Sequence, residues 1–185
     1  MKLPVIARQI SHLTDARYFA ALEVDYISYD LGSSEDAIDE VTYSGIAEWV
    51  EGPKTLIENP PHRNFNSEVG YIFGYPMQAE NESTFIVMTI SQLKENFMDK
   101  HPKGNYIILL DEKEYPGAAL LTALSKYEGR AQFYFQSDVY LTPFIQFLLE
   151  DYPTMGIVFC GSKEEKTGMK SYEALDEVIE LLEEY

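Results

Sequence analysis

VIARQISHLTDARYFAALEVDYISYDL, residues Val5 to Leu31, reads as strand, polar loop, amphipathic helix, tight turn and strand. Val5, Ile6, Ala7 and Ile10 supply a short apolar strand. Ser11 and Thr14 are candidate N-caps, and Asp15 falls in the first helical turn, where the helix dipole favours a carboxylate. Ala16, Phe19, Ala20 and Leu22 keep one helical face apolar. Val24 to Leu31 is strand-like again. A strand, a helix and a second strand within this length make one βαβ unit with a right-handed crossover.

The rest of the chain repeats that unit. The spacing predicts helix over Ser34 to Val50, strand over Lys54 to Glu58 and strand over Val69 to Gly74. It predicts strand over Thr84 to Ile90, helix over Ser91 to Met98 and strand over Asn105 to Asp111. Helix follows at Ala118 to Tyr127, strand at Ala131 to Gln136, helix at Thr142 to Asp151, strand at Gly156 to Gly161 and helix at Ser171 to Glu184. Several strands are near-continuous apolar runs, as strands covered on both faces should be. About eight βα units indicate a compact (β/α)8 barrel, a TIM barrel, as a single domain over residues 1–185. The gaps after the third and fourth strands hold about ten residues each, below the dozen a helical crossover needs, so those two helices are expected to be short turns. An open doubly wound sheet is the alternative.

The 185 residues carry 31 Asp and Glu against 14 Lys and Arg, a formal charge of −17. That balance argues against nucleic acid and anionic membrane surfaces as partners. One cysteine, Cys160, allows no internal disulfide and fits a reducing compartment. No signal-peptide pattern opens the sequence and no run approaches the ~18 apolar residues of a membrane span, so a soluble cytoplasmic protein is expected. Trimmed helices would leave an apolar flank suited to a homo-oligomer.

In a barrel the site lies at the carboxyl ends of the strands. Those ends supply Arg8, Asp30, Glu58, Tyr75, Thr89, Asp111, Gln136 and Cys160, a polar ring with three carboxylates and one arginine. His12, in the first βα loop, is a candidate base. Gly161, Ser162 and Gly168, after the eighth strand, allow backbone N–H groups to approach an anion. No His, Cys or carboxylate spacing suggests a metal site, and no cofactor is expected. Cys160 reads as a small buried residue rather than a nucleophile.

The opening stretch resembles the N-terminus of phosphoribosylanthranilate isomerases, which read Lys-Ile-Cys-Gly-Ile-Thr, then Asp-Ala, then Gly-Ala-Asp. Ile10-Ser11 takes the Ile-Thr place, Asp15-Ala16 the Asp-Ala place and Val24-Asp25 the Ala-Asp place. Leu109-Leu110-Asp111 is similar to the family's sixth strand, and Phe159-Cys160-Gly161 with Thr167-Gly168-Met169-Lys170 to its last strand and loop. The resemblance implies a barrel, and an Amadori rearrangement that needs an acid and a base. It places the acid at Asp111 and the base, a cysteine in the family, at Arg8. An arginine stays protonated and cannot act as that base. The family's Ser-Gly-Gly after the seventh strand is Gln136-Ser137-Asp138 here, and a carboxylate beside a phosphate is unfavourable.

Three readings follow. The chain is a divergent barrel that has lost the Amadori reaction and binds or transforms another small metabolite, anionic if the strand-eight loop keeps its donors, with Asp30, Gln136, Gly161, Ser162 and Gly168 as binding residues. Or it is an active isomerase in which His12 or Glu58 replaces the base. Or it is a non-catalytic interaction protein whose mouth is plugged by its own ion pairs. An Arg8–Asp111 pair across the mouth is expected, with Asp30 and Glu58 as rival partners on nearer strands.

Overall fold

A computed structural model of the chain describes residues 3–32, 34, 37–60, 69–76, 83–94, 103–110, 116–137, 142–161 and 172–184. The strands are β1 (Val5–Arg8), β2 (Tyr26–Asp30), β3 (Lys54–Glu58), β4 (Gly70–Gly74), β5 (Thr84–Thr89), β6 (Gly104–Leu109), β7 (Ala131–Gln136) and β8 (Gly156–Cys160). The helices among the described residues are α1 (Leu13–Ala21), α2 (Glu40–Ala47), α3 (Ile90–Lys94), α4 (Ala118–Ser125), α5 (Thr142–Asp151) and α6 (Glu173–Glu184). Each strand pairs in parallel with the next, and β1 pairs with β8, so the sheet closes into a barrel. Closure excludes the open doubly wound alternative. The stretches after β3 and β4, expected as trimmed helices, fall largely on residues 61–68 and 77–82, outside the described residues.

Period-two alternation sorts the strand side chains. Ile6, Leu56, Ile72, Phe85, Ile107, Tyr134 and Val158 form one buried cluster, with Tyr26, Val87 and Leu109 packed against it. This is the filling of the barrel. The residues that alternate with them, among them Val5, Ala7, Ile27, Tyr29, Ile57, Tyr106, Ile108, Phe133, Phe135 and Phe159, belong to a second cluster shared with helical residues such as Phe19, Leu121, Leu148 and Val178. A large apolar side chain moved from water into either cluster stabilises the fold by about 1.5–3 kcal/mol.

The helix starts depart from the sequence expectation for local reasons. At α1 the N-cap position is His12, whose side chain makes no capping bond, rather than Ser11 or Thr14. At α2 the cap is Asp39, whose carboxylate accepts from the Thr42 amide at 2.7 Å. Ser34, the expected start, instead donates its hydroxyl to Asp30 at 2.6 Å, and the helix is confined to Glu40–Ala47. α3 opens on a capping box. The Thr89 amide donates to the Gln92 side chain at 2.9 Å and the Gln92 amide to the Thr89 hydroxyl at 3.3 Å. β6 runs over Gly104–Leu109, so it begins one residue early.

Burial raises the hydroxyl pKa of Tyr106 from 10.0 to about 12. Burial also raises those of Tyr29, with a smaller contribution from Tyr43, and of Tyr134, with smaller contributions from Tyr26 and Asp25. The folded chain therefore holds these protons to higher pH than the unfolded chain does. Their contribution is complete below about pH 10 and is lost as pH rises through the raised values. Denaturation at intervals from about pH 8 to 12 should show stability falling above about 10, with a shallower fall in Tyr106→Phe. A flat profile would contradict this assignment.

Candidate functional site

Arg8, Ser28, Glu58 and Gln136, on the inward parity of β1, β2, β3 and β7 near the barrel mouth, form one network. The Arg8 Nε donates to both Glu58 oxygens, each at 3.1 Å, and Nη2 donates to Oε2 at 2.7 Å. This side-on fork is the pairing that a planar guanidinium and a carboxylate favour. Nη1 donates to the Gln136 Oε1 at 2.8 Å. Ser28 donates its hydroxyl to Glu58 Oε1 at 2.6 Å and accepts from the Gln9 amide at 3.0 Å. Gln9 has a positive φ of 57°, so the loop after β1 is held in a conformation unusual for a residue with a side chain. A continuous chain of hydrogen bonds thus runs from that loop through β2, β3 and β1 to β7.

The network is largely dry. The Glu58 side chain is 2% exposed and that of Arg8 11%. An ion pair at this depth persists because each charge is compensated.

The other expected residues divide. Asp30 is buried, paired in register with Glu58, and accepts from the Gly32 amide at 2.8 Å, the Ser34 hydroxyl at 2.6 Å and the Asn59 side-chain amide at 3.2 Å. Three donors fix it as the organiser of the turn after β2. Gly161 donates its amide to the Arg8 carbonyl at 2.8 Å, so that N–H is spent on the sheet. A Cβ at Gly161 would stand 2.8 Å from the Gln9 carbonyl oxygen, which explains glycine there by close packing. His12 is partly buried at the start of α1. Cys160 is half-buried and lies beside Arg8 in the β1–β8 register. Asp111, Ser162 and Gly168 lie outside the described residues. The expected Arg8–Asp111 pair is therefore not among the contacts described; the guanidinium bonds to the rival carboxylate Glu58 and to Gln136.

Sequence reasoning missed Ser28. It is fully buried, and its signal was its phase: it shares its parity with Tyr26 and Asp30 on β2. Below Gly161, the Asp15 carboxylate is also buried and accepts from the Tyr172 hydroxyl at 2.6 Å, while Tyr172 stacks on Tyr18 with ring centroids 3.9 Å apart. This ties the start of α6 to α1. Among the described residues no group of three or more His, Cys, Asp and Glu could hold a metal ion, and no helix is long and apolar enough to cross a membrane.

Architecture and rim together define a (β/α)8, or TIM, barrel with a polar, ion-paired mouth. Its fold is that of the phosphoribosylanthranilate isomerases. The Thermus thermophilus phosphoribosyl anthranilate isomerase superposes with a TM-score of 0.72 at 15% identity, over 98% of this chain and 99% of that one. A phosphoribosyl anthranilate isomerase in complex with reduced 1-(o-carboxyphenylamino)-1-deoxyribulose 5-phosphate gives 0.65 at 10% identity, over 99% of this chain and 100% of that one. TrpF from Jonesia denitrificans gives 0.58 at 8% identity, over 96% of this chain and 95% of that one. No family model and no curated protein sequence matches the chain. At these identities the likeness is one of fold.

Proposed function

We propose that this barrel does not carry out the Amadori isomerisation of the enzymes it resembles, and that its mouth binds another small, anionic metabolite. The observation that carries the reading is Arg8. It stands where the resemblance puts the base, it remains protonated at neutral pH, and Glu58 and Gln136 hold its guanidinium in place. General-base catalysis contributes roughly 10²–10⁴ in rate, and among the described residues the two buried carboxylates of the mouth are already engaged. Glu58, the obvious substitute, has both oxygens engaged by Arg8 and Ser28. Asp30 is engaged by three donors of its own loop. His12 and Asp111 retain the roles of substitute base and acid only in the rival reading of an active isomerase. Gln136 belongs to the binding mouth in our reading, Ser162 and Gly168 keep their proposed place in the anion-binding loop, and Gly161 serves that loop only by its close packing, since its amide is given to the sheet.

A second reading, a non-catalytic interaction protein with a plugged mouth, is favoured by one feature. Arg8 bridges β3 and β7, so its charge is met by the chain's own side chains.

The test is a turnover assay with phosphoribosylanthranilate. The wild-type protein should give no isomerisation above the uncatalysed rate. Turnover at ordinary enzymatic rates, abolished by Asp111→Asn, would overturn the reading and reinstate the active isomerase.

A further inference from the structure

The network leaves donors over. Of the Arg8 guanidinium, Nε, one N–H of Nη2 and one of Nη1 are committed. The second N–H of Nη1 and of Nη2 meet no partner among the described residues. Gln136 accepts through Oε1, which leaves its Nε2 amide as a donor, also without a partner among the described residues. Gln136 is only 8% exposed. Among the described residues no fully buried side-chain nitrogen or oxygen lacks a partner, so this amide still reaches the solvent of the mouth. The open donors sit on two side chains already bonded to each other, and both are held in place before any ligand arrives.

Their charge environment restricts what they can take. Glu58 neutralises Arg8, and Asp30, in register with Glu58, is a further buried carboxylate. These three side chains sum to a net charge of −1, which opposes a dianion about twice as strongly as a monoanion. A planar acceptor with one negative charge is opposed less, and it can take hydrogen bonds from the remaining guanidinium and amide N–H groups without requiring more charge.

We infer that Arg8 and Gln136 together form a receptor for a single carboxylate group, and that the mouth selects carboxylates over phosphate. The inference rests on the small-anion reading above and names the ligand class of the same site.

The test is a titration of the ¹⁵N-labelled full chain with sodium benzoate and, separately, with inorganic phosphate at matched ionic strength, following the Gln136 side-chain amide. Benzoate should shift that signal saturably and phosphate should not. Gln136→Leu, which keeps the bulk and removes the donor, should weaken benzoate about tenfold, the scale of one hydrogen bond to a charged group. Arg8→Lys, which keeps the charge and loses the planar edge, should weaken it at least as much. Phosphate shifting the Gln136 amide as strongly as benzoate, or in its place, would overturn the carboxylate assignment while the small-anion reading survived. Unchanged benzoate affinity in both variants would overturn it too. Silence toward both anions would overturn both and leave the plugged mouth.

Discussion

Arg8→Ala should destabilise the protein by about 3–5 kcal/mol, the cost of stranding one partner of a buried ion pair. Glu58 is the reason. It is 2% exposed, and without the guanidinium it keeps only the Ser28 hydroxyl as a donor among the described residues. Its charge would then sit in a barrel mouth packed against the apolar filling, with Ile6 and Leu56 two residues earlier on β1 and β3. Gln136 loses its partner as well. Arg8→Lys should cost less, since an ammonium restores the charge but cannot meet both carboxylate oxygens and Gln136 from one plane. Urea denaturation at neutral pH measures both. A loss below about 1 kcal/mol for Arg8→Ala, the range of exposed pairs, would show that water screens the mouth.

Gly156→Ala should be comparably severe for a different reason. A Cβ there would lie 2.6 Å from the Pro4 carbonyl oxygen and 2.7 Å from the Tyr134 Cε1, with the ring's Cδ1 nearer still. Real Cβ atoms do not approach so closely. Pro4 O cannot withdraw, because it accepts from the Ile157 amide at 2.9 Å in the β1–β8 seam. Tyr134 cannot withdraw easily, because it belongs to the interior filling and packs against Phe85 with centroids 5.8 Å apart. Overpacking of this kind costs about 1–3 kcal/mol, and a rigid backbone neighbour places this site at the upper end. The seam closes the barrel, so the loss should appear as a lowered denaturation midpoint. A neutral substitution would mean that β8 can slide against β1, contrary to the observed register.

The fold was legible in the sequence because about eight short apolar runs recur, mostly alternating with helical stretches, and several are near-continuous, as strands covered on both faces are; the inward parity came with the structure. Ile6 and Arg8, Tyr26, Ser28 and Asp30, and Leu56 and Glu58 each fall on one parity, and the structure turns that parity inward. The count of strands indicated closure, and the β1–β8 pairing supplies it. Which carboxylate meets Arg8 was not legible. That depends on the stagger between strands, set by pairs such as Ala7 with Ile27 and Tyr29 with Ile57, and no single strand encodes it. Ser28 went unread because a small polar residue inside a strand looks like filler until its neighbours are known. The start of α2 was misread because Ser34 and Asp39 are both competent caps, and Asp30, four residues earlier, engages the first. Gly161 was read as an anion cradle when its amide serves the sheet. A glycine permits close approach, and the sequence does not say by what.

The functional reading depends on Arg8 being held by Glu58 and not free for chemistry. A double-mutant cycle over Arg8→Ala, Glu58→Ala and the pair, read by denaturation, tests it most directly. A buried, two-oxygen pairing predicts strong non-additivity, with a coupling of about 2 kcal/mol or more and a double variant more stable than Arg8→Ala alone. Additivity within about 0.5 kcal/mol would mean that the two side chains act independently. Arg8 would then be a mobile cation open to any ligand or reaction, which contradicts a mouth built around a fixed Arg8–Glu58 pair.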